Sequence, residues 1–119
     1  MTKSHVMKIG IASSEQQRKR VLDIAAGRRQ VKRGEPKVWF PSLKTAAEVL
    51  DRNRDLIRII SEEHPQSVNE LAQLSGRAES NVSRSLRRLE AYGIVRMVKA
   101  GKQRRPEALA REFDIRMEC

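Results

Sequence analysis

The chain has 119 residues, 39% of them hydrophobic and 34% charged, and carries a net charge of +10; this is the profile of one globular domain with at most a small appendage, and such a charge draws polyanions, chiefly nucleic acid or acidic membrane surfaces. A single cysteine, Cys119, excludes an intramolecular disulfide framework and a cysteine-clustered zinc site. No apolar run approaches the roughly 20 residues of a membrane span, and the first fifteen residues lack the apolar core and cleavage pattern of a signal segment, so a cytoplasmic protein without a membrane partner is expected.

In chain order, residues 5–12 (HVMKIGIA) place Met7, Ile9 and Ile11 on one side of an extended segment and Lys8 and Gly10 on the other, a period of two that predicts a strand. Ser13 or Ser14 then offers a helix N-cap, and EQQRKRVLDIAAGRRQ has helix-favouring composition with Val21, Leu22, Ile24 and Ala25 clustered as apolar surface. Arg28, Arg29, Lys32 and Arg33 fall near its carboxyl end, where cations suit the helix dipole. Gly34-Glu35-Pro36 breaks the chain, and KVWF (37–40) is a second strand. Residues 1–41 thus form a strand-helix-strand extension that buries too little to stand alone, and it carries +7 of the net charge. It is the candidate dimerisation element.

Residues 42–119 are expected to form the second unit. Ser42 caps LKTAAEVL, and Asp51 is placed to cap RNRDLIRIISEEH, whose Leu56, Ile57 and Ile60 make an apolar stripe at helical spacing. The helix stops at His64-Pro65, because the residue before proline disfavours the helical conformation. Ser67-x-x-Glu70 has the form of a capping box, with Val68, Leu71, Ala72 and Leu74 on the buried side and Gly76 as a left-handed stop. A longer helix follows to Tyr92. Val82, Leu86 and Leu89 share a narrow arc, Ser80, Arg84 and Arg87 lie near the opposite pole, and Ser83 and Arg88 flank them. Beyond Gly93, IVRMVK is a strand, Ala100-Gly101 turns, KQRR gives a positive tip that Pro106 closes, and EFDIRM is the returning or terminal strand.

The block from Ser67 to Met117 resembles winged-helix regulators of the MarR/ArsR-like type, small predicted prokaryotic DNA-binding proteins. The matching positions are Glu70, Leu71, Ala72, Gly76, Arg77, Asn81, Val82, Arg84, Leu86, Leu89, Gly93, Ile94 and Val95, followed by a basic wing. The resemblance implies an α+β winged helix-turn-helix that binds double-stranded DNA as a homodimer on a palindromic operator, and some relatives of this kind are antitoxins encoded beside a toxin. The chain lacks the long C-terminal dimerisation helix of MarR proteins and the cysteine metal site of ArsR proteins.

The leading expectation is therefore a sequence-specific transcriptional regulator, a repressor. Arg84 and Arg87 approach bases, with Arg88 beside them; Ser80, Asn81 and Ser83 contact bases or phosphates; Arg77, Lys102, Arg104 and Arg105 neutralise phosphates. The alternative is an antitoxin-type protein whose main role is binding a partner toxin. RNA is the other polyanion open to a basic fold of this kind. No glycine-rich phosphate loop, histidine-rich metal constellation or nucleophile with a partnered base is present in the sequence, so neither an enzyme nor a cofactor is expected.

Overall fold

The computed structural model describes residues 6–119, so His5 and the start of the first expected strand lie outside it. The described chain is α+β. Its elements are β1 (Val6–Ile11), α1 (Ser14–Ala25), β2 (Val38–Phe40), α2 (Leu43–Ala46) running into a π-helical turn (Ala47–Asp51), α3 (Arg54–Glu63), α4 (Val68–Ser75), α5 (Glu79–Ala91), β3 (Val95–Ala100), β4 (Gln103–Ala108) and β5 (Glu112–Met117). They form a three-stranded parallel sheet, in the order β2-β1-β5, and an antiparallel hairpin, β3-β4.

The alternation in β1 puts Ile9 and Ile11 into the core and leaves Lys8 outside. On the outer face Gly10 lies opposite Trp39 of β2. The indole ring crosses the strand so closely that a Cβ at position 10 would collide with it. Trp39 Nε1 donates to the Pro36 carbonyl at 3.1 Å, and the Arg20 guanidinium stacks over the ring at 5.0 Å while pairing with Glu35. Burial raises the Glu35 carboxyl, but hydrogen bonds and charge from Arg20 and then Arg29 outweigh it, and its pKa lies below the ordinary value.

Ser13 and Gln16 exchange both bonds of a capping box, at 3.1 and 2.8 Å, to start α1. The helix departs from expectation at its other end. It stops at Ala25, so Arg28, Arg29, Lys32 and Arg33 lie beyond its last turn, where Arg28 pairs with Asp23 and Arg29 with Glu35. Its apolar cluster is not packed either: Val21 and Leu22 are 62% and 57% exposed and no residue of α1 is buried. The described chain measures 48 × 31 × 24 Å along its principal axes.

The strand-helix-strand unit and the rest of the chain share one core. Phe40 is fully buried and stacks on Tyr92 at the end of α5, with ring centroids 4.3 Å apart and planes 26° from parallel. Ile9 and Ile11 join Val49, Leu56, Leu71 and Leu89 in the same cluster. EFDIRM is a strand as expected, but it does not return along the hairpin. It pairs along its whole length with β1, in the register Ile9–Ile115.

Two caps also differ from expectation. Asp51 falls in the π-helical turn and pairs with Arg54 at 2.9 Å, leaving Asn53 at the α3 cap position. Asn53 turns its side chain inward and donates to the Val49 carbonyl at 2.8 Å. The α3 helix ends at Glu63 because His64 adopts the left-handed conformation, φ 51°, before the buried Pro65. At Ser67 half of the expected box forms: its hydroxyl accepts from Glu70 N at 3.0 Å, while the Glu70 carboxylate reaches back one residue further, to Gln66 N.

Gly10→Ala is expected to destabilise the chain by about 1–3 kcal/mol, the usual effect of forcing a methyl into a packed site. Urea denaturation checks this, and Trp39→Ala in the same chain removes the clash, so the double variant should lose less than the sum of the two single losses.

Candidate nucleic-acid interface

The two helices α4 and α5 meet at a turn that only a few residues can make. Gly76 has φ 73°, a conformation that carries a steric penalty for a side chain, and its amide donates to the Ala72 carbonyl at 3.0 Å. Leu71 and Ala72 bury the inner face of α4, but Leu74, expected beside them, is 46% exposed. Across the turn Asn69 Nδ2 donates to the Glu79 carboxylate at 3.0 Å, tying the two helices at their surface. At its far end α5 closes with Ile94 N donating to the Leu89 carbonyl and Gly93 N to that of Glu90, both at 2.9 Å.

Arg77, between the helices, holds this pair to α3. Its Nε and Nη2 donate to the two Asp55 oxygens at 3.1 and 2.5 Å, Nη2 also to the Arg52 carbonyl at 2.7 Å, and Nη1 to Asn53 Oδ1 at 3.2 Å. A fork of five donors suits this set of acceptors, and it satisfies the buried Asn53 amide from the outside. The sequence pattern places Arg77 among phosphate contacts; its guanidinium is instead occupied within the fold.

The rest of α5 separates by face. Val82, Leu86 and Leu89 are buried, Ser83 is half-buried, and Ser80, Asn81, Arg84, Arg87 and Arg88 are exposed. Arg88 pairs with Glu48 at 3.4 Å. Arg84 and Arg87 make no salt bridge among the described residues.

The hairpin sorts its cations in the same way. Leu109 N donates to the Ile94 carbonyl, and bonded and non-bonded pairs alternate along an antiparallel ladder, so Pro106 opposite Met97 sits at a non-bonded position with its nitrogen outward. Pro106 therefore does not close the hairpin; it lies inside β4, and the loop is Gly101-Lys102 alone. Arg104 and Arg105, expected at the tip, are strand residues. Arg105 turns to Glu107 at 3.2 Å, and Arg96 across the ladder meets the same carboxylate at 2.5 Å. Hydrogen bonding from Arg96, with its charge and that of Arg105, holds the Glu107 pKa below the ordinary value against the opposing effect of burial.

Lys99 and Arg104 lie directly opposite each other. Like charges in that position repel. Both are exposed, and together with Lys102 they make no salt bridge among the described residues. By strand alternation the pair extends, past the rim of the core, the hairpin face that carries Val95 and Met97. Lys99 is not singled out by the sequence because its role depends on the register, which the two-residue loop fixes.

A family model described as HVO_A0114 matches residues 42–115, more than half of the chain. The chain belongs to the HVO_A0114 family. The HVO_A0114 match takes in α4, α5 and the hairpin whole and leaves β1, α1 and β2 outside. No curated protein and no solved structure matches the chain. Among the described residues no three His, Cys, Asp or Glu side chains gather as a metal site, and no helix is long and apolar enough to cross a membrane.

Two outcomes test this arrangement. Arg77→Ala is expected to cost about 1–3 kcal/mol, since it leaves the Asn53 oxygen and Asp55 without their partner, whereas Arg84→Ala should stay within about 0.5 kcal/mol of the parent; chemical denaturation separates them. A lowered carboxyl pKa stabilises the fold above the ordinary value of 4.5 and loses that effect as pH falls through the folded-state value. The stability gap between the parent chain and Glu107→Gln should therefore be full at neutral pH and shrink on acidification below 4.5.

Proposed function

We propose that the chain is a sequence-specific double-stranded-DNA-binding transcriptional regulator, a repressor acting as a dimer, in which α4 and α5 are the helix-turn-helix and β3-β4 the wing. The observation that carries this reading is the sorting of arginines. Arg77, Arg88, Arg96 and Arg105 have carboxylate partners, while Arg84 and Arg87 on the outer pole of α5 make no such pair among the described residues. A reading helix in the major groove presents its early residues to base edges, which suits Ser80, Asn81 and Arg84. Arginine bonding two acceptors of guanine supplies about 1–3 kcal/mol of discrimination. The repelling Lys99–Arg104 pair and Lys102 suit phosphates, whose charge would relieve the repulsion. The resemblance to MarR/ArsR-like regulators points the same way.

The antitoxin reading draws on a different feature, the exposed Val21 and Leu22 of α1, apolar surface open to a protein partner. Co-purification with the product of an adjacent reading frame would favour it.

Selection of bound fragments from random duplex DNA by the purified protein is expected to recover an inverted repeat. On that sequence Arg84→Ala should cut the preference over random DNA by about 1–3 kcal/mol. Replacing Lys102 and Arg104 by Ala should weaken binding to all DNA and reduce the slope of log affinity against log salt by about 2. Unchanged discrimination by the Arg84 variant in a gel-shift titration would show that α5 is not the reading helix.

A further inference from the structure

We infer that two copies of the chain pair along β5, antiparallel about a twofold axis through Ile115, so that their three-stranded sheets join into one of six strands. β5 bonds to β1 on one side only, and among the described residues nothing bonds to its other side. It is six residues long and holds neither proline nor glycine, so its free edge is a template for another strand. The opposite edge of the sheet, β2, has three residues.

The side chains select the occupant. In the parallel register Phe113, Ile115 and Met117 share the face of Met7, Ile9 and Ile11, but Ile115 and Met117 remain 48% and 53% exposed. With Leu43, Leu50 and Ile57, Phe113 and Ile115 border an open groove of about 960 Å³. On the other face stand Asp114 and Arg116.

A twofold axis perpendicular to the sheet constrains how β5 meets itself. Residues directly opposite must share a face, so the axis passes through a residue and not between two. With the axis at Ile115, Asp114 of each copy faces Arg116 of the other. Phe113 faces Met117, a favourable sulfur–aromatic neighbour, and Ile115 faces Ile115. With the axis one residue away on either side, Asp114 faces Asp114 or Arg116 faces Arg116. Of these three registers the Ile115 axis alone matches charge with charge and apolar with apolar. Glu112 then faces Glu118 of the other copy, beyond the last residue of the strand. The self-complementary sequence Phe-Asp-Ile-Arg-Met is what commits the edge to a second copy. The dimer contact thereby moves from residues 1–41 to the C-terminal strand. This deepens the dimeric-regulator reading, but it is tested without DNA, so either can fail alone.

The test is sedimentation of the full chain with charge-reversed variants. The parent is expected to be a dimer. Asp114→Arg places two arginines opposite each other at both symmetry-related positions, and Arg116→Asp places two aspartates there; each should raise the dimer Kd about tenfold or more. Mixed in equal amounts, the two variants regain complementary pairs and should form a dimer with one copy of each. Because a reversed charge at 114 also lies beside Lys8, a second variant guards against misfolding. Ile115→Cys in a Cys119→Ser chain should cross-link to itself on mild oxidation, since directly opposite Cα atoms lie about 4.5–5.5 Å apart, within disulfide reach. Val21→Cys in the same background should not. A monomeric parent, folded single variants that still dimerise as the parent does, a mixture that stays monomeric, or an Ile115→Cys chain that fails to cross-link would each overturn the pairing.

Discussion

The geometry of α5 depends on one guanidinium. Arg77 stands where α4 has ended and α5 has not begun, and it reaches back to Asp55 and Asn53 at the start of α3 and to the carbonyl of Arg52. A lysine could not hold these acceptors, because an ammonium lacks the planar fork that spans both carboxylate oxygens and an amide. The turn at Gly76 sets the path of the chain, and Arg77 sets how the two helices sit on the third. The proposed reading face is thus supported by a residue of its own motif that is turned inward.

The other end of α5 is held by the Phe40–Tyr92 stack. Phe40 belongs to the sheet, so helix and sheet are one packed body, and β5 completes that sheet from the far end of the sequence. The route from the proposed pairing edge to the proposed reading helix is short in structure: β5 to β1, β1 to β2, Phe40 to Tyr92. The family match includes β5 through Ile115 but omits β1, to which it bonds, and β2 beyond it.

Features with local causes were legible in the sequence. The period of two in β1, the 3.6-residue period that buries Val82, Leu86 and Leu89, and the caps at Ser13, Ser42 and Ser67 all follow from neighbours within a turn or a strand. The outward placement of Ser80, Arg84 and Arg87 follows from the same period. Features decided by distant partners were not. The sequence pattern puts Arg77 among phosphate contacts, and nothing local shows that Asp55, 22 residues earlier, lies beside it. EFDIRM showed its alternation but not that its neighbour is β1. Proline inside a strand looked like an end, because its missing donor is harmless only at a position facing away from the ladder. The apolar residues of α1 promised a buried face, but pattern alone does not say whether another surface lies within reach.

Pro106 has a consequence beyond the hairpin's own register. Its nitrogen faces the outer side of β4, where a further strand would have to receive a hydrogen bond. The outer edge of β4 therefore lacks a donor at Pro106, a buried residue of a strand that also packs on α3 and α4. A strand approaching that edge would find no donor at this position, so strand-by-strand growth along β4 is discouraged by one ring closure.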